Sequence, residues 1–256
     1  MYSIVFLDID GTIVHPETGQ LTPRLAAAIN QLQSRDIKVF ACTGRCPADT
    51  LAVQKGFSFD GYISLTGAVC VSRGQTLWQT PLGADDLAAV VNTARRCDYP
   101  IVFWDAGSCY ANFSNETVKA VYGFDPACID LSLLEPGRIL QLQAFLPAGQ
   151  EWRLMDNTRR LQYNRWHPAF IDVASAGVSK KSGVQRLLEY YFIRPEEAVA
   201  FGDGETDIGM FSAVGTAVCM AESTAHVAMH ADMVAGSIYE EGIMPALRRC
   251  FPFLTV

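Results

Sequence analysis

The chain has 256 residues, half of them hydrophobic, 11% aromatic and 18% charged, with a formal net charge of -7. That composition excludes a disordered or fibrous chain, and the acidic balance excludes a broad grip on nucleic acid or on an anionic membrane face, since both need clustered positive charge. No apolar run approaches the roughly 20 residues of a spanning helix, the opening run ends in acids rather than a cleavage site, and eight cysteines without a CxxC pair fit reduced thiols, so a cytoplasmic protein is expected.

Residues 3–7 read as a short strand that is apolar on both faces, as a central parallel strand is. Thr22 and Pro23 supply an N-cap and a first-turn proline for a helix in which Leu25, Ala28, Ile29 and Leu32 recur at helical spacing. Residues 37–42 form a second strand, which completes a right-handed βαβ unit. A helix over 47–55, a strand over 61–65 and a hairpin of 69–72 with 76–79 around Arg73-Gly74-Gln75 come next. From about residue 82 to 177 the pattern changes. Helical stretches near 85–96, 114–122 and 151–157 alternate with strands near 101–104, 110–113, 139–145 and 170–173. Trp104, Tyr110, Phe113, Tyr163 and Trp166 are expected mostly to pack that segment's own core. Arg153, Arg159 and Arg160 read as a solvated face, and Asn164 to His167 as a substrate-facing loop. The parallel pattern then resumes with a helix over 180–191, strands over 198–201 and 216–219, and a helix after Glu205. The expected fold is α/β: a Rossmann-like parallel-sheet core from residues 1–81 and 178–256, interrupted by an inserted α+β domain over 82–177.

Chemistry gathers at the predicted strand ends. Phe6-Leu7-Asp8-Ile9-Asp10-Gly11-Thr12 places two carboxylates at a spacing of two, on one face of an ending strand, where ligands of open α/β sheets bind. Thr43-Gly44-Arg45 after the second strand offers a hydroxyl, a close-approach glycine and a guanidinium. Lys180 opens a helix behind the N-cap Ser179, a place that favours anions, although a lone lysine there is usually solvated. Gly202-Asp203-Gly204-Glu205-Thr206-Asp207 adds acids after a fourth strand. His226 and His230 are four apart without a third ligand, so no zinc centre is expected.

Together these four segments resemble the motifs of the haloacid-dehalogenase superfamily, and the insert resembles the α+β cap of its Cof-type phosphatases. His230-Ala231-Asp232 and Glu241-Gly242-Ile243 resemble the end of that family. The resemblance implies magnesium-dependent hydrolysis of a small phosphorylated metabolite, such as a sugar phosphate, through an aspartyl phosphate. It implies Asp8 as nucleophile, Asp10 as general acid/base and Lys180 as the group that offsets developing charge. Magnesium would be held by Asp8, Asp10 through its carbonyl, Asp203 and Asp207. Phosphate or substrate would meet Ile9, Thr43, Gly44, Arg45, Lys180 and Thr206. Two positions depart from the family pattern: Thr206 and Thr66 stand where asparagine is common. A phosphomutase of the same fold and a receiver-like phosphoaspartate module are the alternatives. The long insert and the spacing of Asp8 and Asp10 count against the second.

Overall fold

The computed structural model describes residues 2–15, 17–19, 21 and 23–256; the N-cap expected at Thr22 lies outside them. In chain order the elements are β1 (Ile4–Leu7), α1 (Pro23–Gln33), β2 (Lys38–Cys42), α2 (Pro47–Ala52), β3 (Gly61–Ser64), β4 (Val69–Ser72) and β5 (Gln75–Gln79). The insert follows with α3 (Ala84–Ala94), β6 (Ile101–Trp104), β7 (Cys109–Ala111), α4 (Glu116–Tyr122), β8 (Ala127–Cys128), β9 (Gln141–Ala144), α5 (Trp152–Met155), β10 (Leu161–His167) and β11 (Phe170–Ser175). The chain ends with α6 (Lys180–Tyr191), β12 (Ala198–Gly202), α7 (Asp207–Phe211), β13 (Thr216–Cys219), α8 (Ala225–Ala228), β14 (Met233–Val234) and α9 (Ile243–Cys250).

Two compact units result: Met1–Trp78 with Ser179–Val256, and Gln79–Val178. The first is an α/β unit of Rossmann-like build, with strand order β14-β13-β12-β1-β2-β3-β4-β5. β1 runs parallel to β2 on one side and β12 on the other, and β4 runs antiparallel to β3. All four residues of β1 are buried, because successive side chains feed opposite cores. Val5 and Leu7 join Leu25, Ile29 and Leu32 of α1 and Leu247 of α9; Ile4 and Phe6 join Val184, Leu187 and Leu188 of α6 and Met210 of α7. Each such side chain contributes roughly 1.5–3 kcal/mol by leaving water.

The second unit holds a six-stranded sheet of order β10-β11-β9-β6-β7-β8, antiparallel except for the β7 and β8 pair. One face is covered by α3 and α5, whose Leu87, Val90 and Leu154 pack on Ile101, Phe103, Leu142 and Val173. Two expectations fail here. Asn164 to His167 is no loop: it belongs to the edge strand β10, which pairs with β11 and bulges between Asn164 and His167. Tyr163 and Trp166 on that edge are exposed rather than packed inside, because an edge strand has only one neighbour to bury against. Arg159 and Arg160 are solvated as expected, whereas Arg153 is tied to Asp98 at 2.5 Å and lies over the Tyr99 ring. All eight cysteines are free. Among the described residues no helix is long and apolar enough to cross a membrane.

Candidate active site

β12, β1, β2 and β3 are neighbours and parallel, so the residues just beyond them share one edge of the sheet. Asp8 continues the pairing past β1, its amide donating to the Phe201 carbonyl at 2.9 Å. Its carboxylate is almost wholly buried, and Oδ1 accepts from the Lys180 ammonium at 2.6 Å. The same ammonium donates to Oδ1 of Asp207 at 2.7 Å. Lys180 is therefore not a solvated helix-end lysine; it is 3% exposed between two carboxylates.

Local sequence explains how it is held there. Ser179 and Ser182 cap α6 reciprocally: Ser179 Oγ accepts from the Ser182 amide at 3.1 Å and Ser182 Oγ from the Ser179 amide at 3.0 Å. Asp207, at the start of α7, accepts the amides of Asp203 and Gly204 on Oδ2 at 3.1 and 3.0 Å. Both of its oxygens are thus engaged. Asp203 Oδ1 in turn accepts from the buried Thr12 hydroxyl at 3.1 Å. Thr12 carried no role in the sequence reading, although its place at the end of the Asp8 motif was the available signal. Gly11 has φ +80°, and a Cβ there would lie 2.4 Å from Asp203 Oδ2, so only glycine lets the two loops meet.

Three carboxylates gather around one ammonium, which bonds to two of them, Asp8 and Asp207. Burial pushes the Asp8 carboxyl well above its ordinary range, with Lys180 opposing and Asp207 and Asp203 adding to the rise. Burial, with Asp207 adding, raises Asp203 to about 6. Burial would lower Lys180, but Asp207 and Asp8 outweigh it and hold the ammonium above its ordinary value. One oxygen from each of Asp8, Asp203 and Asp207 lies within 4.8 Å of the others. Hard oxygen donors around uncompensated negative charge suit a divalent cation, so the residues fit such an ion.

Asp10 contributes no carboxylate to this cluster. Its carboxylate, 61% exposed, is gripped by Arg45 through Nε to Oδ2 at 2.9 Å and Nη2 to Oδ1 at 2.6 Å. Arg45, expected on the substrate, is here on the second aspartate. Thr43 is buried, and its Oγ1 accepts the Arg45 amide at 3.1 Å. Gly44 is exposed and has room: a Cβ would meet only Thr66 Oγ1, at 3.6 Å. The Ile9 side chain belongs to the core and its carbonyl accepts the amides of Ile13 and Val14, which leaves its own amide as the group able to face a ligand. Thr206 is half-buried just before α7 and makes no cap bond.

The turn after β3 carries backbone strain: Leu65 and Thr66 have φ 48° and 54°. Asparagine tolerates that conformation and a β-branched residue does not, so Thr66 is costly here. Hydrogen bonds from the Thr66 amide to the Thr43 carbonyl at 3.1 Å and from the Leu65 amide to the Arg45 carbonyl at 3.0 Å hold the turn. Cys42 packs among core residues at the end of β2, and burial drives its thiol far up, so it stays protonated. The rings of His226 and His230 meet edge-on at 5.1 Å, both residues are exposed, and neither belongs to the aspartates' cluster.

The sequence pattern of haloacid dehalogenase-like hydrolases fits residues 5–247. This chain belongs to that family. The hydrolase is of the Cof type and is a phosphoric monoester hydrolase. It is 30% identical to a phosphatase of the haloalkanoate enzyme superfamily from Bacteroides thetaiotaomicron whose structure is solved, covering 97% of this chain and 95% of that one with a TM-score of 0.89. A subclass IIB sugar phosphatase of that superfamily is 26% identical with a TM-score of 0.86, covering 97% and 98%. The Bacillus subtilis protein YkrA, named for a phosphatase, is 26% identical over 250 residues, 96% of each chain.

Proposed function

We propose that this hydrolase removes phosphate from a small phosphorylated metabolite, a sugar phosphate or a compound of similar size, with magnesium and through an aspartyl phosphate on Asp8. The observation that carries the reading is the buried Asp8 carboxylate held at 2.6 Å by Lys180 beside Asp203 and Asp207.

Asp8, oriented by its bond to Lys180, attacks phosphorus while the leaving alcohol departs, which divides hydrolysis into two easier displacements. Asp10 protonates the alcohol and then takes a proton from the attacking water. To do so its carboxylate must leave Arg45, and a phosphate dianion arriving at the Thr43 to Arg45 turn competes for that guanidinium. Lys180 and the Thr43 hydroxyl stabilise charge on the transferred phosphoryl oxygens. Asp8, the Asp10 carbonyl and Asp203 would hold magnesium, with Asp207 fixing Asp203 and Lys180. When bound, the ion neutralises the carboxylate and phosphate charges that would otherwise repel. The insert, which forms its own compact unit, is assigned the choice of substrate.

The test is phosphate release from an aryl phosphate. Turnover should vanish on thorough chelation and return with magnesium, and Asp8→Asn should lose it by on the order of 10^4-fold or more while the protein stays folded. Activity that survives chelation removes the metal from the reading, and activity that survives Asp8→Asn removes the nucleophile.

A further inference from the structure

Two consecutive residues of the turn after β3, Leu65 and Thr66, have positive φ. Of the six non-glycine residues in that conformation among the described residues, Thr66 alone is β-branched, and a branched Cβ makes the left-handed region a genuine outlier. Such strain persists only where the surroundings impose it. Here they do so from both ends. Ser64 closes β3 with its hydroxyl 3.1 Å from that of Thr50, both buried. Gly67 lies against the start of α6, where a Cβ would come 2.2 Å from the Ser179 carbonyl oxygen, and its own carbonyl accepts from the Trp78 indole at 3.3 Å. All of these residues belong to one compact unit.

The strained pair orients the neighbouring loop. Thr66 donates its amide to the Thr43 carbonyl at 3.1 Å, and Leu65 donates to the Arg45 carbonyl at 3.0 Å. In a planar trans peptide the carbonyl and the following N–H point in opposite directions. With the Thr43 carbonyl turned toward Thr66, the Gly44 N–H is turned away from it. That N–H bonds to no described residue, and Gly44 is exposed. The Thr43 hydroxyl accepts the Arg45 amide at 3.1 Å, which leaves its proton to donate. Two donors are thereby kept for an oxyanion, and they stay so only while the turn holds its left-handed form. A turn that relaxes drops the Thr66 bond and lets the Gly44 peptide rotate.

We propose that Thr66 is a positioning residue for the phosphate group. Its branched side chain raises the cost of the turn that presents the Gly44 amide and the Thr43 hydroxyl, so the loop grips phosphate more weakly than over an unstrained turn and releases it more readily. This role rests on the proposed function, which puts phosphate at that loop. A loop that is only partly in its binding form has its affinity reduced by the fraction in that form, so relieving the strain tightens binding without adding a contact.

The test uses the whole protein with magnesium: calorimetry with inorganic phosphate, and kcat and KM for an aryl phosphate. Asparagine and glycine both tolerate positive φ. Thr66→Asn should melt higher by roughly 2–4 °C, and both Thr66→Asn and Thr66→Gly should bind phosphate at least threefold more tightly, with KM falling in step and kcat not rising. Glycine has no side chain to touch the ion, so its tightening reports the turn alone. Thr66→Val keeps the branch, loses the hydroxyl and should show no tightening. A purely structural strain would move the melting temperature and leave phosphate affinity where it was. Affinity that fails to rise in the glycine variant, affinity that rises in the valine variant, or a native protein that binds no phosphate would overturn the proposal. Tighter phosphate binding by the asparagine and glycine variants of a protein that hydrolyses no aryl phosphate would leave it standing and overturn the phosphatase reading instead.

Discussion

Asp207→Ala removes one side chain that joins three loops of the site. Asp207 is 1% exposed and accepts three hydrogen bonds, from Lys180 at 2.7 Å and from the amides of Asp203 and Gly204 at 3.1 and 3.0 Å. A hydrogen bond to a charged group contributes about 1.5–3 kcal/mol, and each amide left without a partner costs about 1–3 kcal/mol. Two features moderate the sum. Asp203 and Gly204 are half-buried, so water can reach their amides, and Lys180 keeps Asp8 as a partner. The expected loss is therefore about 3–5 kcal/mol, the range for breaking a buried ion pair from one side. For a protein of this size that is a fall in melting temperature of roughly 10 °C. Asp207→Asn keeps one oxygen for the two amides and should lose about half as much. Circular-dichroism melts in chelator, where no divalent cation can mask the change, make the measurement. An alanine variant that melts within about 2 °C of the native protein would refute the argument, and an asparagine variant as damaged as alanine would show that the two amide bonds carry nothing.

Gly67→Ala should destabilise the protein by about 2 kcal/mol or more and depress turnover with it. Its φ is +111°, and a Cβ would lie 2.2 Å from the Ser179 carbonyl oxygen, forcing the turn after β3 away from the N-terminus of α6, where Lys180 sits. Gly74→Ala, which meets nothing within 4 Å, should cost only about 1 kcal/mol, and equal melts for the two variants would remove the clash from the account. Asp172 supplies a pH dependence. Burial raises its carboxyl above the unfolded value, so the folded state holds that proton more tightly. The resulting stability is fully present below the unfolded pKa of about 3.9 and is lost as pH rises through the folded one. Asp172→Asn has no such proton, so in urea titrations from pH 4 to 8 its stability relative to the native protein should improve with pH; a gap that stays flat or narrows the other way is the contrary result.

The parallel core was legible in the sequence because its signals are local. The β1 run of Ile4, Val5, Phe6 and Leu7 is apolar at every position since both of its faces meet a core, and residues 180–191 and 216–219 form the helix and strand expected of them. The acids at 8, 10, 203 and 207 could be assigned to strand ends for the same reason. β10 gave no such signal: Gln162, Tyr163 and Asn164 are all exposed on an edge strand, so no alternation of apolar and polar residues marks it. Charge environment was equally hidden. Whether Lys180 is solvated or buried depends on Asp8 and Asp207, which lie 172 and 27 residues away in the chain. Whether Arg45 faces a ligand or Asp10 depends on a pairing across 35 residues. Periodicity and turn chemistry act within a few residues, and they determine which elements form. Burial and ion pairing act through space, and only the packing of parallel strands around β1 decided which of the charged side chains would meet.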